Sequence, residues 1–210
     1  MNKSLLGCLG VLVVGALILG AWVVGKYNAL VPLSQSVDAQ WAQVQNVYQR
    51  RADLIPNLVK TVEGAANFEK STLTDIVNAR ASVGQVKIDP SKAPDPETLA
   101  KFQAAQDGLS SALSRLLVVV EKYPELKSNQ NFLNLQSQLE GTENRISVER
   151  GKFNDTVKAF NTAVQVFPTN VIAGMFGYRV KSYFSAKAGA ENPPPVNFQF
   201  GQPTPAPTGK

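Results

Sequence analysis

The sequence predicts an all-α protein, with an N-terminal transmembrane helix continuing into an antiparallel, four-helix-like bundle of long helices. Three observations carry this. Leu5 to Gly25 runs 21 positions without a charge. Beyond it, apolar residues recur at helical spacing over long stretches. No segment of useful length alternates polar and apolar as a half-buried strand does.

The apolar run comes first. As a helix it spans about 30 Å, the thickness of a bilayer's hydrocarbon core. Trp22 and Tyr27 fall where an interfacial aromatic belt belongs, and Lys3 and Lys26 bracket the run. Val23-x-Gly25 offers a signal-cleavage site, but the run exceeds the roughly 7–15 residues of a signal peptide's apolar region, so an uncleaved anchor is expected. Leu5-Leu6-Gly7-Cys8 resembles a lipoprotein box, except that the apolar run follows the cysteine instead of preceding it. Ala16 with Gly20, and Ala21 with Gly25, are small-residue pairs four apart, of the kind that lets spans pack closely. Basic residues lie on both sides, with a small bias that favours the outer face for the rest of the chain.

The span flows into an amphipathic helix. Leu30, Leu33 and Val37, then Trp41, Val44 and Tyr48, then Ala52, Ile55 and Val59 form triplets that repeat every 11 residues. That period belongs to a long, nearly straight helix, with Pro56 as an internal kink. Ser71 to Val83 is a second helix, and Lys87 to Asp95, with Pro90 and Pro94, is a loop. Asp95-Pro96-Glu97 starts a third, with cap, proline and acid in order. Its stripe is Leu99, Phe102, Gln106, Leu109, Leu113, Leu116 and Val120, and Tyr123-Pro124 stops it. A further helix runs from about Asn131 to Phe167, where Leu139, Ile146, Phe153, Phe160 and Phe167 fall seven apart and Pro168 ends it. Val171 to Phe184 is apolar and aromatic; packing back on the bundle is the default expectation, with contact to the membrane surface or to a neighbouring subunit as the alternatives. From Gly189 the chain is rich in proline and is expected to be disordered. The organisation is therefore a flank at 1–4, the span at 5–25, the bundle at 26–188 and a tail at 189–210.

Polar residues near the stripes are the candidate sites. Glu143 and Arg150 lie seven apart on the last long helix, as do Asn154 and Asn161. Arg50, Arg51, Asp53 and Asn57 cluster around Pro56. A buried charge without a partner costs several kcal/mol, so these residues are expected to form an interhelical polar layer that fixes register. Trp41 is expected to anchor contacts between copies of the first long helix in an oligomer, so that a charged residue there would disperse it.

These residues resemble a known family. Tyr27-Asn28, Trp41 and the run Arg50 to Val59 are similar to the N-terminal signature of the LemA family. Ala79-Arg80, Tyr123 to Lys127, Phe132, Leu139 to Ile146, Phe153-Asn154, Asn161, Phe167-Pro168 and Pro195 to Phe198 match in order. One departure is Phe68, where the family often has histidine. The resemblance implies a bacterial, membrane-anchored long-helix bundle without an assigned enzymatic activity. It also implies kinship with a protein needed to form the membrane compartments of magnetic bacteria.

The composition narrows the chemistry. The chain has no histidine, which removes His-based catalysis and His-ligated metals. Its single cysteine, Cys8, allows no internal disulfide or cysteine zinc site. There is no phosphate-binding glycine loop, and Glu140 with Glu143 reads as an ion-pairing couple. The net charge of +5 is interleaved with acids and forms no nucleic-acid face. No cofactor, metal, catalysis or nucleic-acid partner is expected. The preferred reading is a single-pass anchored protein that contacts membrane lipid and self-assembles as a scaffold. A monomeric adaptor for another envelope protein is the alternative. A ligand-binding bundle using Glu143, Arg150 and Asn154 ranks third.

Overall fold

A computed structural model describes residues 3–64 and 68–185, excluding the side chains of residues 3–6 and of Cys8. Among them α1 spans Lys3–Glu63 as one helix of 61 residues that contains both Pro32 and Pro56. α2 follows at Lys70–Gln85, α3 at Pro96–Val120, a short α4 at Pro124–Lys127, α5 at Gln130–Gln165 and α6 at Thr169–Met175. No strand occurs among the described residues. The expected tail from Gly189 lies outside them.

The starts follow local chemistry. The Asp95 carboxylate accepts from the amides of Glu97 and Thr98, both at 3.0 Å, and Pro96 occupies the first helical position. Asn129 caps α5 in the same way through Asn131 N and Phe132 N. The last long helix ends sooner than its heptads suggest. Pro168 disfavours helical backbone in the residue before it, α5 stops at Gln165, and Phe167 swings out to 78% exposure.

Four helices make the bundle, running alternately up and down. Arg51 of α1 meets Glu143 of α5, and ten residues earlier Trp41 meets Phe153, ten residues later, so the pair is antiparallel. α3 runs parallel to α1, with Phe102 beside Trp41 and Ser110 beside Arg51. α2 runs against α3, pairing Asp75 with Arg115.

The core forms in two parts. Leu30, Val37, Trp41 and Val44 pack with Phe102, Phe153, Val157 and Phe160 at the end nearer the apolar N-terminal stretch. Ile55, Leu58 and Val62 pack with Ile76, Leu109, Leu116 and Phe132 at the other. Phe68, the departure from the family pattern, joins the second part, its ring 4.9 Å from Tyr123. In α3, Ala112 is buried while Leu113 is only partly so.

The apolar segment after α5 divides its residues. Ile172, Ala173 and Phe184 are buried, whereas Val171, Met175 and Phe176 are exposed. α6 ends in a left-handed turn at Gly177 (φ 76°), closed by Tyr178 N donating to Ala173 O at 2.9 Å. Residues 178–185 then run as an extended strap across the bundle.

Candidate functional site

The boundary between the two core parts is polar. Arg51 sits there at 2% exposure. Its Nη1 donates to Ser110 Oγ at 2.8 Å and to Glu143 Oε2 at 2.7 Å. Its Nη2 donates to the side-chain oxygen of Gln106. The guanidinium also lies 5.1 Å from the centre of the Tyr48 ring. Arg51 Nε has no hydrogen-bond partner among the described residues. The layer thus joins α1, α3 and α5, and a shifted register would strand a buried cation. Burial pushes the Tyr48 phenol above its usual pKa, against the opposing charges of Arg150 and Arg51.

A groove opens beside this layer between α3 and α5, with a volume of about 260 Å³. Leu58, Leu113, Leu117 and Leu139 make its apolar walls, with Arg51, Glu140 and Glu143 among its polar lining. That lining suits a small apolar group with a polar head. Among the described residues no cluster of three acids or thiols is arranged to hold a metal.

A second polar system holds the strap. Asn161 donates to Lys181 O and accepts from Lys181 N, both at 2.8 Å. Asn154 does the same with Phe184, at 3.0 and 2.9 Å. Each side-chain amide pairs with the backbone as a neighbouring strand would. Gln103 Nε2 and Arg150 Nη2 both donate to Ser185 O, at 2.9 and 2.8 Å. The Arg150 guanidinium also lies 4.7 Å from the centre of the Phe184 ring. Asp38 adds a tie by accepting from Lys181 Nζ and from Ala93 N, each at 2.9 Å.

The sequence-predicted residues therefore separate into three groups. Arg51 and Glu143 meet in the layer between helices. Arg150 and Asn154 serve the strap. Arg50, Asp53 and Asn57 point outward on α1, where Asp53 accepts from Gln49 Nε2 at 2.7 Å within the same helix. Trp41 is fully buried in its own chain, ringed by Phe102, Phe153 and Phe184. Sequence reasoning did not assign Gln106 or Ser110 to the layer. The signal for Gln106 was its place in an otherwise apolar stripe.

One feature lies apart from both systems. The N-terminal part of α1 is long and apolar enough to cross a membrane, and none of the described residues covers its most apolar window. Leu12, Leu17 and Ile18 are 66–71% exposed. These features define a class: helical bundles whose first helix extends beyond the bundle as an uncovered apolar rod. The LemA family model matches residues 40–198, and the chain belongs to the LemA family. It is 26% identical over 184 residues to the magnetosome protein MamQ of Magnetospirillum gryphiswaldense, covering 80% of this chain and 68% of that one. Magnetosome protein MamQ 2 of Paramagnetospirillum magneticum shows the same identity and coverage. Protein LemA of Metamycoplasma hominis is 23% identical over 150 residues, 71% of this chain and 64% of its own.

Proposed function

We propose that this protein is a membrane-anchored helical scaffold. In this reading α1 crosses a bacterial membrane once and the bundle stands on its outer face. Copies assemble side by side to organise the membrane, without catalysis of their own. The observation that carries the reading is the continuity of α1, whose 61 residues pass from the uncovered apolar stretch into the core without a break. A rigid join transmits the orientation of a span to the bundle, as a scaffold requires. Gly20 and Gly25 lie on this part, where an added Cβ meets nothing among the described residues within 4 Å, so neighbouring spans have room to approach. The likeness to magnetosome proteins supports a role in membrane organisation.

The test is the mass of the full-length protein in lipid nanodiscs and in detergent. A discrete oligomer in both is expected. A monomer at every protein concentration would overturn self-assembly and favour an adaptor, whose partner crosslinking in cells would then identify.

A further inference from the structure

The corner between α5 and the strap presents apolar side chains that the bundle leaves at least half exposed. Phe167 is 78% exposed, Met175 74%, Val171 55% and Phe176 52%. The opposite side of the same short helix is already spent on the core, through Ile172 and Ala173. A corner that is apolar on both sides calls for a second partner other than water. Its position identifies that partner. The Phe176 ring lies 4.7 Å from the Tyr27 ring, and Tyr178 packs on Tyr27 at 6.1 Å. Tyr27 lies two residues beyond Gly25, about 3 Å along the helix from the end of the apolar stretch. Continuing the antiparallel register of Arg51 with Glu143 and Trp41 with Phe153 brings Phe167 level with Tyr27 as well. The corner thus stands where α1 emerges from its apolar stretch, at the level of the exposed Arg179 and half-buried Lys26.

We infer that the α5–α6 corner is a second membrane contact, with Phe167, Val171, Met175 and Phe176 seated in the interfacial region of the bilayer that α1 crosses. Lys26 and Arg179 lie at headgroup height, where anionic lipid favours them. The lipid needs no recruitment, because the span holds the corner against it. A single crossing helix leaves the bundle free to tilt; a second contact beside it fixes that tilt. The inference rests on the anchor reading and is independent of self-assembly.

The experiment uses the full chain carrying Cys8→Ser, in vesicles of phosphatidylethanolamine and phosphatidylglycerol. Single cysteines Phe167→Cys, Met175→Cys, Val13→Cys and Val118→Cys carry an environment-sensitive fluorophore, and doxyl lipids of shallow and deep label serve as quenchers. All four positions are at least half exposed, so the label meets no core. The expected result is shallow quenching at 167 and 175, deep quenching at 13 and none at 118. Quenching at 13 with none at 167 and 175 overturns the inference and leaves the anchor standing. Shielding at 167 and 175 that is lost on diluting the protein in lipid also overturns it, in favour of a second copy. Absence of quenching at 13 removes the anchor reading and the inference together.

Discussion

Arg51 and Glu143 form a 2.7 Å ion pair whose two ends live in different surroundings: the Arg51 side chain is 2% exposed and that of Glu143 is 54%. The cation is enclosed, and its carboxylate reaches in from the mouth of the groove. Loss of the acid therefore differs from loss of the base. Without Glu143 a buried guanidinium keeps Ser110 and Gln106 as hydrogen-bond partners and the Tyr48 ring beside it, but no counter-charge; without Arg51 the carboxylate remains hydrated.

Glu143→Ala should accordingly cost about 2 kcal/mol, above the usual range for exposed pairs and below that for fully buried ones. Glu143→Gln keeps an acceptor and should cost less than half as much. Chemical denaturation of both variants checks this. Equal losses would show that hydrogen bonding at Glu143, and not its charge, is unimportant to the layer.

The strap makes a separate claim on Asn161, which satisfies both backbone groups of Lys181. Asn161→Ala leaves those groups without their partners and should cost about 1–3 kcal/mol if they stay enclosed. Hydrogen exchange gives the more specific readout. Amides of residues 178–185 should exchange faster in the variant while those of Phe153 and Val157 keep their protection. A uniform rise across the chain would mean that the strap and the bundle open together.

Self-assembly through the spans carries its own prediction. An added Cβ at Gly20 meets nothing among the described residues within 4 Å, so Gly20→Leu should leave the fold intact. It should also hold neighbouring spans apart and lower the oligomer mass in nanodiscs. An unchanged mass would place the contacts between copies elsewhere.

Legibility in the sequence followed the physics of each signal. The 11-residue repeat of α1 and the Asp95 cap were plain because spacing and capping are local properties. Phe153 and Phe160 were found in the core for the same reason. Phe167 shares their heptad, yet the helix ends before it, since backbone preference ahead of Pro168 outweighs a side-chain pattern. Polar residues were harder to place. Asn154 and Asn161 stood out by their seven-residue spacing, but that spacing does not distinguish a neighbouring helix from an extended strap as their partner. Arg50 and Arg51 are adjacent, and only their angle around α1 places one in solvent and the other in the core.

Asp89, Asp95 and Glu149 are held below their ordinary pKa by hydrogen bonds, and the last two carry a test in acid. Asp95 is held below its ordinary pKa of 3.8, first by the Thr98 hydroxyl and then by the Thr98 and Glu97 amides. Glu149 is held below its ordinary 4.5, first by Lys152 Nζ at 2.8 Å and then by Gln40 Nε2 at 2.6 Å. A carboxylate that binds its proton less readily when folded favours the folded state above its unfolded pKa. That contribution fades as pH falls from the ordinary value through the lower folded one. Stability should therefore be flat near neutrality with respect to these groups and decline below about pH 4.5. Asp95→Asn keeps an accepting cap oxygen but has no proton to take up, and Glu149→Gln likewise cannot titrate. The double variant should show a shallower decline in acid than the parent, measured by chemical denaturation at a series of pH values. Parallel curves for the two proteins would assign the acid sensitivity to other carboxylates.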